Sequence, residues 1–222
     1  MNKIKLDDRL KIAAEYVRHG SIAADIGTDH AYLPVYLVQN GICERALACD
    51  VNKLPLESAK KTIELYELSD KIEVRLSNGL CEINSNECDD VVICGMGGEL
   101  IANILENCNW IKSDKYNLIL NPMTKADKLR EYLAKNGFKI KSETAAESHQ
   151  KHYTIMNVVY SGEITVPDLK YIYFGKVLDD KSDAAKKLIE MTISQLRKKA
   201  RGMDEKSALS IEKLIFEILE EI

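Results

Sequence analysis

The sequence predicts an α/β protein in which helices cover both faces of a mostly parallel β-sheet. Short apolar runs alternate with amphipathic segments five times along the chain before a closing pair of strands. That alternation is typical of parallel sheets built from β-α-β units. From about residue 164 onwards the strand-like runs stop, and two long amphipathic segments follow. We therefore predict two domains, an α/β domain over 1–163 and a helical domain over 164–222.

Composition sets the broad class of the protein. The chain has 222 residues, 45% of them hydrophobic, which suits one α/β domain with an appendage. Because the net charge is −4, any contact with nucleic acid must come from a local basic patch. No segment resembles a secretory signal or reaches membrane-spanning length, and the six cysteines lack CxxC spacing. We expect a cytoplasmic protein with free thiols, no metal and no membrane partner.

Hydrophobic periodicity places the elements in order. The first half predicts a helix at 6–18, a strand at 21–25, a helix at 33–39, a strand at 45–50, a helix at 53–67 and a strand at 72–76. The second half predicts a strand at 89–94, a helix at 99–107, a strand at 116–122, a helix at 125–136 and strands at 138–142 and 152–160. We expect the polar segment 143–151 to be a surface connection, and the last strand pair to add one antiparallel strand at an edge.

The turn after the first strand is the strongest candidate for a ligand site. The apolar run ends on Asp25 and is followed by Gly27, Asp29 and His30. Open α/β sheets bind ligands where strands deliver such residues at their carboxyl ends, and a glycine lets the backbone approach the ligand. We predict a nucleoside-bearing cofactor over Gly27, with Asp29 and His30 facing its reaction partner. The alternative is an ordinary strand-to-helix turn with a capping aspartate.

Three later strand ends carry residues suited to the same ligand. Asp50 ends the second strand 23 residues after Gly27, the spacing of the acidic residue that binds ribose hydroxyls. Asn78 and Gly79 follow the third strand and suit an adenine edge, although Asn-Gly is also a common turn dipeptide. The Gly95–Gly98 loop follows the fourth strand, and its three glycines predict a close approach of backbone to a bound group.

Charge favours one cofactor over another. Dinucleotide-binding turns have a second glycine where this chain has Asp29, and a carboxylate there would repel pyrophosphate. S-adenosylmethionine has no phosphates and carries a sulfonium cation, which a carboxylate tolerates or favours. The residues therefore favour the methyl donor, while a nicotinamide-dependent oxidoreductase on the same fold is the alternative.

The last part of the chain predicts a helical hairpin. Residues 171–175 look like a docking segment, 182–201 are strongly helical, and Gly202 and Asp204 separate them from a second apolar stripe that runs to the C-terminus. The first of these helices concentrates cations against the single acid Glu190. These cations are Lys186, Lys187, Arg197, Lys198, Lys199 and Arg201. The local charge of about +5 could bind RNA phosphates, or these residues could form a solvated face of a coiled coil.

Two further patterns receive little weight. His149 and His152 are three residues apart, but no third ligand stands at a recognisable spacing, so we predict no metal site there. Asn121–Met123 is similar to the N-P-P-[YF] motif of amino-directed adenine methylases. It follows the fifth strand rather than the fourth, however, and it lacks the aromatic residue.

Several of these motifs together resemble the bacterial tRNA (adenine-22-N1)-methyltransferases. They are Asp25–Pro34, the Gly95–Gly98 loop, the Arg9–Leu10 pair and the two-helix tail, and the resemblance covers essentially the whole chain. It implies a Rossmann-like class I methyltransferase sheet with a C-terminal antiparallel two-helix coiled-coil module. It also implies methyl transfer from S-adenosylmethionine to N1 of an adenine in the D-arm region of tRNA.

The resemblance also assigns roles to residues. It implies a cofactor site formed by Arg9, Asp25, Gly27, Asp29, His30, Asp50, Val51, Asn78, Gly79, Gly95 and Met96. Asp29 takes the place of the family's catalytic carboxylate, with His30 to orient it or to stack. For the substrate we expect Tyr32 to receive the flipped base and the six tail cations to contact tRNA. Two further hypotheses stay open, namely a non-catalytic RNA-binding protein and a methyltransferase for a protein or a small molecule.

Overall fold

The computed structural model describes residues 3–222, which form one seven-stranded sheet with helices on both faces and a helical tail. The strands are β1 (Ser21–Ile26), β2 (Cys43–Asp50), β3 (Ile72–Leu76), β4 (Asp90–Gly97), β5 (Asn117–Thr124), β6 (Phe138–Ser148) and β7 (Lys151–Tyr160). The helices are α1 (Asp8–Tyr16), α2 (Tyr32–Gln39), α3 (Lys53–Leu65), α4 (Gly98–Glu106), α5 (Ala126–Lys135), α6 (Leu169–Phe174), α7 (Asp183–Ala200) and α8 (Glu205–Glu221). The predicted α/β fold class is confirmed.

The order of strands creates a crevice at the carboxyl edge of the sheet. The order is β3-β2-β1-β4-β5-β7-β6. Strands β1 to β5 run parallel, and β7 is antiparallel to both β5 and β6. The chain leaves β3 at one edge and returns beside β1 as β4, so the connections diverge between β1 and β4. Open α/β sheets bind their ligands at such a switch point.

The sheet is buried on both faces, which explains the near-continuous apolar runs of its strands. Val91, Val92 and Ile93 in β4 have no exposed surface. On one face they lie against α4 and α5, and on the other against α1 and α2. The crevice therefore rests on a rigid, fully packed support.

The prediction of a surface connection at 143–151 is wrong. Residues up to 148 continue β6, residues from 151 begin β7, and a two-residue turn at His149 and Gln150 joins them. Glu143 and Ser148 are polar but only 4% and 8% exposed, because partners from distant parts of the chain satisfy them. The antiparallel strand β7 consequently lies inside the sheet, between β5 and the edge strand β6.

The predicted helical hairpin is present. Ser182 and Asp204 cap α7 and α8 by accepting hydrogen bonds from backbone N–H groups of the first turns. Only residues 201–204 connect the two helices, so they pack side by side in opposite directions. Their shared apolar interface includes Ile189, Ile193, Leu196, Ile211, Leu214 and Ile218.

A buried ion pair fastens this tail to the sheet. Arg130 of α5 donates to Glu143 of β6 from Nη2 (2.8 Å) and Nε (2.9 Å), and both side chains are at most 4% exposed. The Arg130 Nη1 atom also donates to the carbonyls of Ile172 and Tyr173 in α6. Since Ala145 of β6 belongs to the apolar cluster of the hairpin, the tail packs against the sheet. The domain boundary near residue 163 stays a prediction.

Candidate functional site

A cavity of about 680 Å³ lies at the switch point between β1 and β4. Its volume is in the range of small-molecule sites. The ends of β1, β2, β3 and β4 line it together with the start of α1. We call it the main cavity. All twelve residues predicted to surround the cofactor or the target base line it, namely Arg9, Asp25, Gly27, Asp29, His30, Tyr32, Asp50, Val51, Asn78, Gly79, Gly95 and Met96.

The turn after β1 is held from within the protein. The Thr28 hydroxyl donates to the buried carboxylate of Asp25 (2.7 Å). The backbone N–H groups of Gly27 and Thr28 both donate to the carbonyl of Cys49, at 2.8 and 2.9 Å. Phosphate-binding turns keep such N–H groups free for the anion. Here these two are engaged, so the turn is poorly suited to pyrophosphate.

Asp29 and its neighbours form a strained cluster at the mouth of the main cavity. Asp29 and Ala31 both have left-handed backbone conformations, with φ of 53° and 55°. Such conformations cost about 1–3 kcal/mol each and concentrate at functional sites. The Asp29 carboxylate is 69% exposed and lies 3.5 Å from Nε2 of His30. The His30 ring stacks on Tyr32 with a centroid separation of 5.2 Å. A carboxylate, an imidazole and a phenol ring thus face the opening together.

The glycines around the main cavity serve two purposes. Gly27 has a φ of +77°, which glycine adopts without strain, and a Cβ there would meet the terminal methyl of the flexible Met96 side chain. Gly95 also has a positive φ (+84°) and lines the cavity. Gly97 and Gly98 instead contact the β5–α5 connection, where a Cβ on Gly98 would collide with the carbonyl of Lys125. Of the glycine loop, Gly95 therefore lies at the cavity, whereas the close approach at Gly97 and Gly98 is to the protein's own β5–α5 connection.

The ends of β2 and β3 form the other side of the main cavity. Asp50 is 9% exposed, and its Oδ1 accepts a hydrogen bond from the N–H of Asn52 (2.9 Å). The Ser77 hydroxyl donates to the carbonyl of Gly79 (2.8 Å), which holds the Asn78–Gly79 turn beside Asp50. Val51 lies next to Asp50 and is 58% exposed, so an apolar surface is available beside this carboxylate.

The lining of the main cavity is acidic. It contains the carboxylates Asp7, Asp25, Asp29 and Asp50 and the cations Lys5 and Arg9. Burial raises the pKa of Asp25 to about 6, although the Thr28 hydrogen bond and the Arg9 charge act in the opposite direction. An excess of two negative charges favours a cationic ligand and disfavours a diphosphate. The donor set therefore fits a sulfonium cofactor with a ribose and an adenine.

Sequence comparison identifies a methyltransferase. A family model described as a methyltransferase domain matches residues 6–156. The tRNA (adenine(22)-N(1))-methyltransferase of Bacillus subtilis (strain 168) is 41% identical over 156 residues, which is 70% of this chain. The aligned part spans 66% of that relative, just under two thirds of its length.

Solved structures extend the likeness to the tail. The crystal structure of the B. subtilis m1A22 tRNA methyltransferase TrmK superposes on this protein over 99% of each of the two chains, with a TM-score of 0.83 and 31% sequence identity. The chain belongs to the tRNA (adenine-22-N1)-methyltransferase family. The structure of M. capricolum TrmK in complex with S-adenosyl-homocysteine superposes over 97% of this chain and 96% of the M. capricolum chain, with a TM-score of 0.79 and 32% sequence identity.

Asn121 received little weight from the sequence, and its role in this methyltransferase became visible only in the structure because its partners are distant in the chain. Asn121 lies within β5 and has no exposed surface. Its Oδ1 accepts from Nη1 of Arg9 (2.9 Å), and its Nδ2 donates to the carbonyl of Thr154 (2.9 Å). The amide is therefore occupied in fixing Arg9, which also lies 3.5 Å from Asp7. The similarity of Asn121–Met123 to the N-P-P-[YF] motif was a signal in the sequence, but it did not indicate a contact with Arg9.

His149 was considered in the sequence only as a possible metal ligand, and its place beside the main cavity was not predicted. It occupies the β6–β7 turn and lines the main cavity. Its Nδ1 lies 3.0 Å from the hydroxyl of Ser148, which in turn donates to Asp7 (3.1 Å). The turn reaches the methyltransferase site because β6 and β7 are longer than predicted. No cluster of three or more residues that could hold a metal occurs within 3–222, His149 and His152 included.

The six tail cations predicted to bind substrate lie in different surroundings. Lys186 lies 3.5 Å from Asp183, and Lys187 lies 3.1 Å from Glu147 of β6. Lys199 donates to the hydroxyl of Tyr173 (2.8 Å). Within the described chain, the remaining three form no ion pair within 4 Å and are exposed. They are Arg197, Lys198 and Arg201, and none of the six lines the main cavity.

Proposed function

We infer that this protein transfers a methyl group from S-adenosylmethionine to N1 of adenine 22 in tRNA. The observation that carries this inference is the acidic main cavity at the switch point, in a chain that matches solved m1A22 methyltransferases over nearly its whole length. The occupied N–H groups of Gly27 and Thr28 argue against a nicotinamide dinucleotide. No feature of residues 3–222 favours a protein or small-molecule substrate.

In this proposal the carboxyl ends of successive strands bind different parts of the cofactor. Asp50 would accept hydrogen bonds from the ribose hydroxyls, and Asn78 with Gly79 would border the adenine. Asp25 and the open turn at Gly27 would lie towards the cationic end. S-adenosylmethionine bound there would supply a methyl group on a sulfonium, from which a nucleophile that attacks the methyl carbon displaces a neutral thioether. A cofactor product occupies the related M. capricolum structure, which supports this proposal.

Methylation at N1 determines what the protein must do for the base. The N1 lone pair forms the new N–CH₃ bond as the S–CH₃ bond breaks, so the positive charge moves from sulfur to the purine. No proton has to leave before the transfer. The exocyclic amine becomes more acidic as the ring gains charge, and the Asp29 carboxylate would accept its hydrogen bond and stabilise that charge. His30 lies close enough to orient Asp29.

The target base needs a place outside its helix. Extruding a base from its stack costs a few kcal/mol, which the enzyme must offset by new contacts. Tyr32 is 45% exposed beside His30 and offers a stacking surface next to Asp29. Placing the base there would align N1 and exclude water.

The tail would contact the rest of the tRNA. Arg197, Lys198 and Arg201 are exposed without an acidic partner among the described residues, so their charge is available for phosphates. A tRNA substrate would place the reaction in the cytoplasm. Residues 3–222 contain no helix that is both long and apolar enough to cross a membrane.

A methylation assay tests the proposal. Unmodified tRNA is incubated with the enzyme and labelled methyl donor, and the product nucleoside is identified and mapped. We expect 1-methyladenosine at position 22. Label in another base would overturn the assigned substrate position, and the absence of label from all RNA would overturn the proposed function. Calorimetry with NAD and with S-adenosylmethionine provides an independent check of the cofactor.

A further inference from the structure

A second cavity, of about 490 Å³, lies between the β5–α5 connection and the helical tail. We call it the hairpin groove. Its wall on the sheet side includes Thr124, Lys125 and His152, and its wall on the tail side includes Tyr173, Gln195 and Lys199. None of the roles assigned to the main cavity uses this space.

The hairpin groove is a neighbour of the main cavity. Met96 lines the main cavity, and the adjacent Gly97 pairs in the β4–β5 ladder with Thr124, which lines the groove. His149, in the turn between β6 and β7, likewise lines the main cavity, and His152, at the start of β7, lines the groove. The two spaces are therefore lined by neighbouring residues at the same edge of the sheet.

The chemistry of the hairpin groove suits a nucleotide. The Tyr173 ring is partly exposed, and the ammonium of Lys199 lies 5.0 Å from its centroid and donates to its hydroxyl. Lys125 is exposed on the opposite wall. Aromatic rings beside cations bind single-stranded RNA by stacking bases and attracting phosphates. Asp127 is the one acid of the groove lining among residues 3–222, and the charge of Arg130 is already balanced by Glu143.

We propose that the hairpin groove holds a nucleotide adjacent to the target adenine. The base of that nucleotide lies against Tyr173, and its phosphate lies between Lys125 and Lys199. Extruding the target adenine breaks the stacking of its neighbours, and the groove replaces that stacking. This inference rests on the proposed RNA substrate, and it explains why the tail is fixed rigidly beside the site by Arg130 and Glu143.

Substitution of the aromatic ring tests the stacking contact. Tyr173→Leu removes the ring, and we expect the KM for tRNA to rise about tenfold, in line with the loss of one stacked base. Tyr173→Phe keeps the ring and is the matched control, with a KM near that of the wild type. Affinity for S-adenosylmethionine should not change in either variant. Equal KM values for tRNA in Tyr173→Leu and Tyr173→Phe would overturn the stacking contact and the proposal.

A cation substitution tests the phosphate contact. Lys125 has a left-handed φ of 57°, so Lys125→Gly removes the charge without straining the backbone. We expect a higher KM for tRNA and a weaker dependence of KM on salt concentration. An unchanged salt dependence would remove Lys125 from the proposed contact.

Photo-crosslinking separates this proposal from the proposed function. A photoreactive amino acid at Gln195 lies in the groove, whereas the same group at the exposed Ser194 lies outside its lining. We expect Gln195, and not Ser194, to crosslink to nucleotides next to the methylated adenine, wherever that adenine is mapped. Crosslinks from an active enzyme to a distant arm of the tRNA would overturn the groove proposal alone. If no RNA is methylated or crosslinked, both proposals fail.

Discussion

Asp29 combines a charge with a backbone conformation that few residues adopt easily. Its φ of 53° is one that aspartate, asparagine and glycine tolerate better than other residues. Its carboxylate faces the opening of the main cavity beside His30. The sequence motif and the position in the cavity therefore both indicate Asp29 as the residue that stabilises the positive charge that develops on the adenine.

The first prediction concerns this carboxylate. Asp29→Asn keeps the shape and the tolerance of a left-handed backbone but removes the charge. We expect turnover to fall about 10²- to 10³-fold, the cost of losing one preorganised electrostatic contact. Binding of S-adenosylmethionine, measured by calorimetry, should persist, and Asp29→Ala should behave similarly. Asp70→Asn, at an exposed site outside the cavity, is the control. Wild-type turnover by Asp29→Asn at matched cofactor occupancy would exclude the assigned role.

The second prediction concerns Asp25, whose pKa burial raises to about 6. A cationic ligand binds the ionised carboxylate better, so its affinity should rise as the pH increases through that pKa. At pH 5 about one tenth of Asp25 is ionised, and we expect S-adenosylmethionine to bind up to about tenfold more weakly than at pH 7.5. Calorimetry at both pH values measures this ratio.

Asp25→Asn is the control for the pH dependence, because the asparagine Oδ1 can still accept the Thr28 hydrogen bond. The affinity of this variant should vary much less with pH. If the variant retains the full pH dependence of the wild type, other groups in the cavity are responsible.

At the scale of elements, most helices and strands follow directly from hydrophobic periodicity. The exception is the second half of β6, residues 143–148, which were predicted to be a surface connection. Ala145 and Ala146 are buried there, and Glu143 is buried because Arg130 reaches it from α5. Local polarity predicts exposure, and only a partner that is distant in the sequence reverses that expectation. The same extension places His149 in the main cavity.

The β6–β7 turn gives the third prediction. His149 and Gln150 have φ of 51° and 61°, a conformation in which asparagine and glycine are favoured. Gln150 is exposed and does not line the main cavity. We expect Gln150→Gly to stabilise the protein by about 0.5–1 kcal/mol, because relief of the left-handed strain outweighs the added entropy of the unfolded chain.

Urea denaturation measures this change. Lys151→Gly places the same residue one position later, within β7, where glycine weakens a strand and should destabilise the protein. Methylation activity should be unchanged in Gln150→Gly. A loss of stability in Gln150→Gly similar to that in Lys151→Gly would contradict the role of backbone strain.

At the scale of the whole molecule, the tail is fixed to the sheet at one crowded point. Gly175 follows α6 with a φ of 55°, and a Cβ there would collide with both Arg130 and Glu143. The fourth prediction is that Gly175→Ala lowers the free energy of unfolding by about 3 kcal/mol or more, since it disturbs a buried ion pair. Thermal or urea denaturation measures the loss.

Gly41→Ala is the matched control for this contact. Gly41 also has a positive φ (+66°), but a Cβ there would meet nothing within 4 Å. We expect a loss of about 1–2 kcal/mol, the cost of the left-handed backbone alone. Similar losses in the two variants would mean that Arg130 and Glu143 adapt to the added methyl group.

The fifth prediction concerns the distribution of charge on α7. Lys198→Glu combined with Arg201→Glu reverses two cations that have no acidic partner within 3–222, and should raise the KM for tRNA at low salt without changing affinity for the cofactor. Lys186→Glu combined with Lys187→Glu reverses two cations that lie close to Asp183 and Glu147, and should have a smaller effect. Equal effects of both changes would contradict the division between paired and unpaired cations.

The sequence by itself determined the alternation of strands and helices, and with it the residues at the carboxyl ends of β1 to β4. Parallel strands bring those ends to a common edge, so Asp25, Asp50 and Asn78 could be grouped from the order of the elements alone. Only the tertiary structure decided the place of Asn121 and His149 in the site, and the formation of the hairpin groove. Those features depend on pairings between residues more than a hundred positions apart or between the sheet and the tail, and local periodicity carries no information about such contacts.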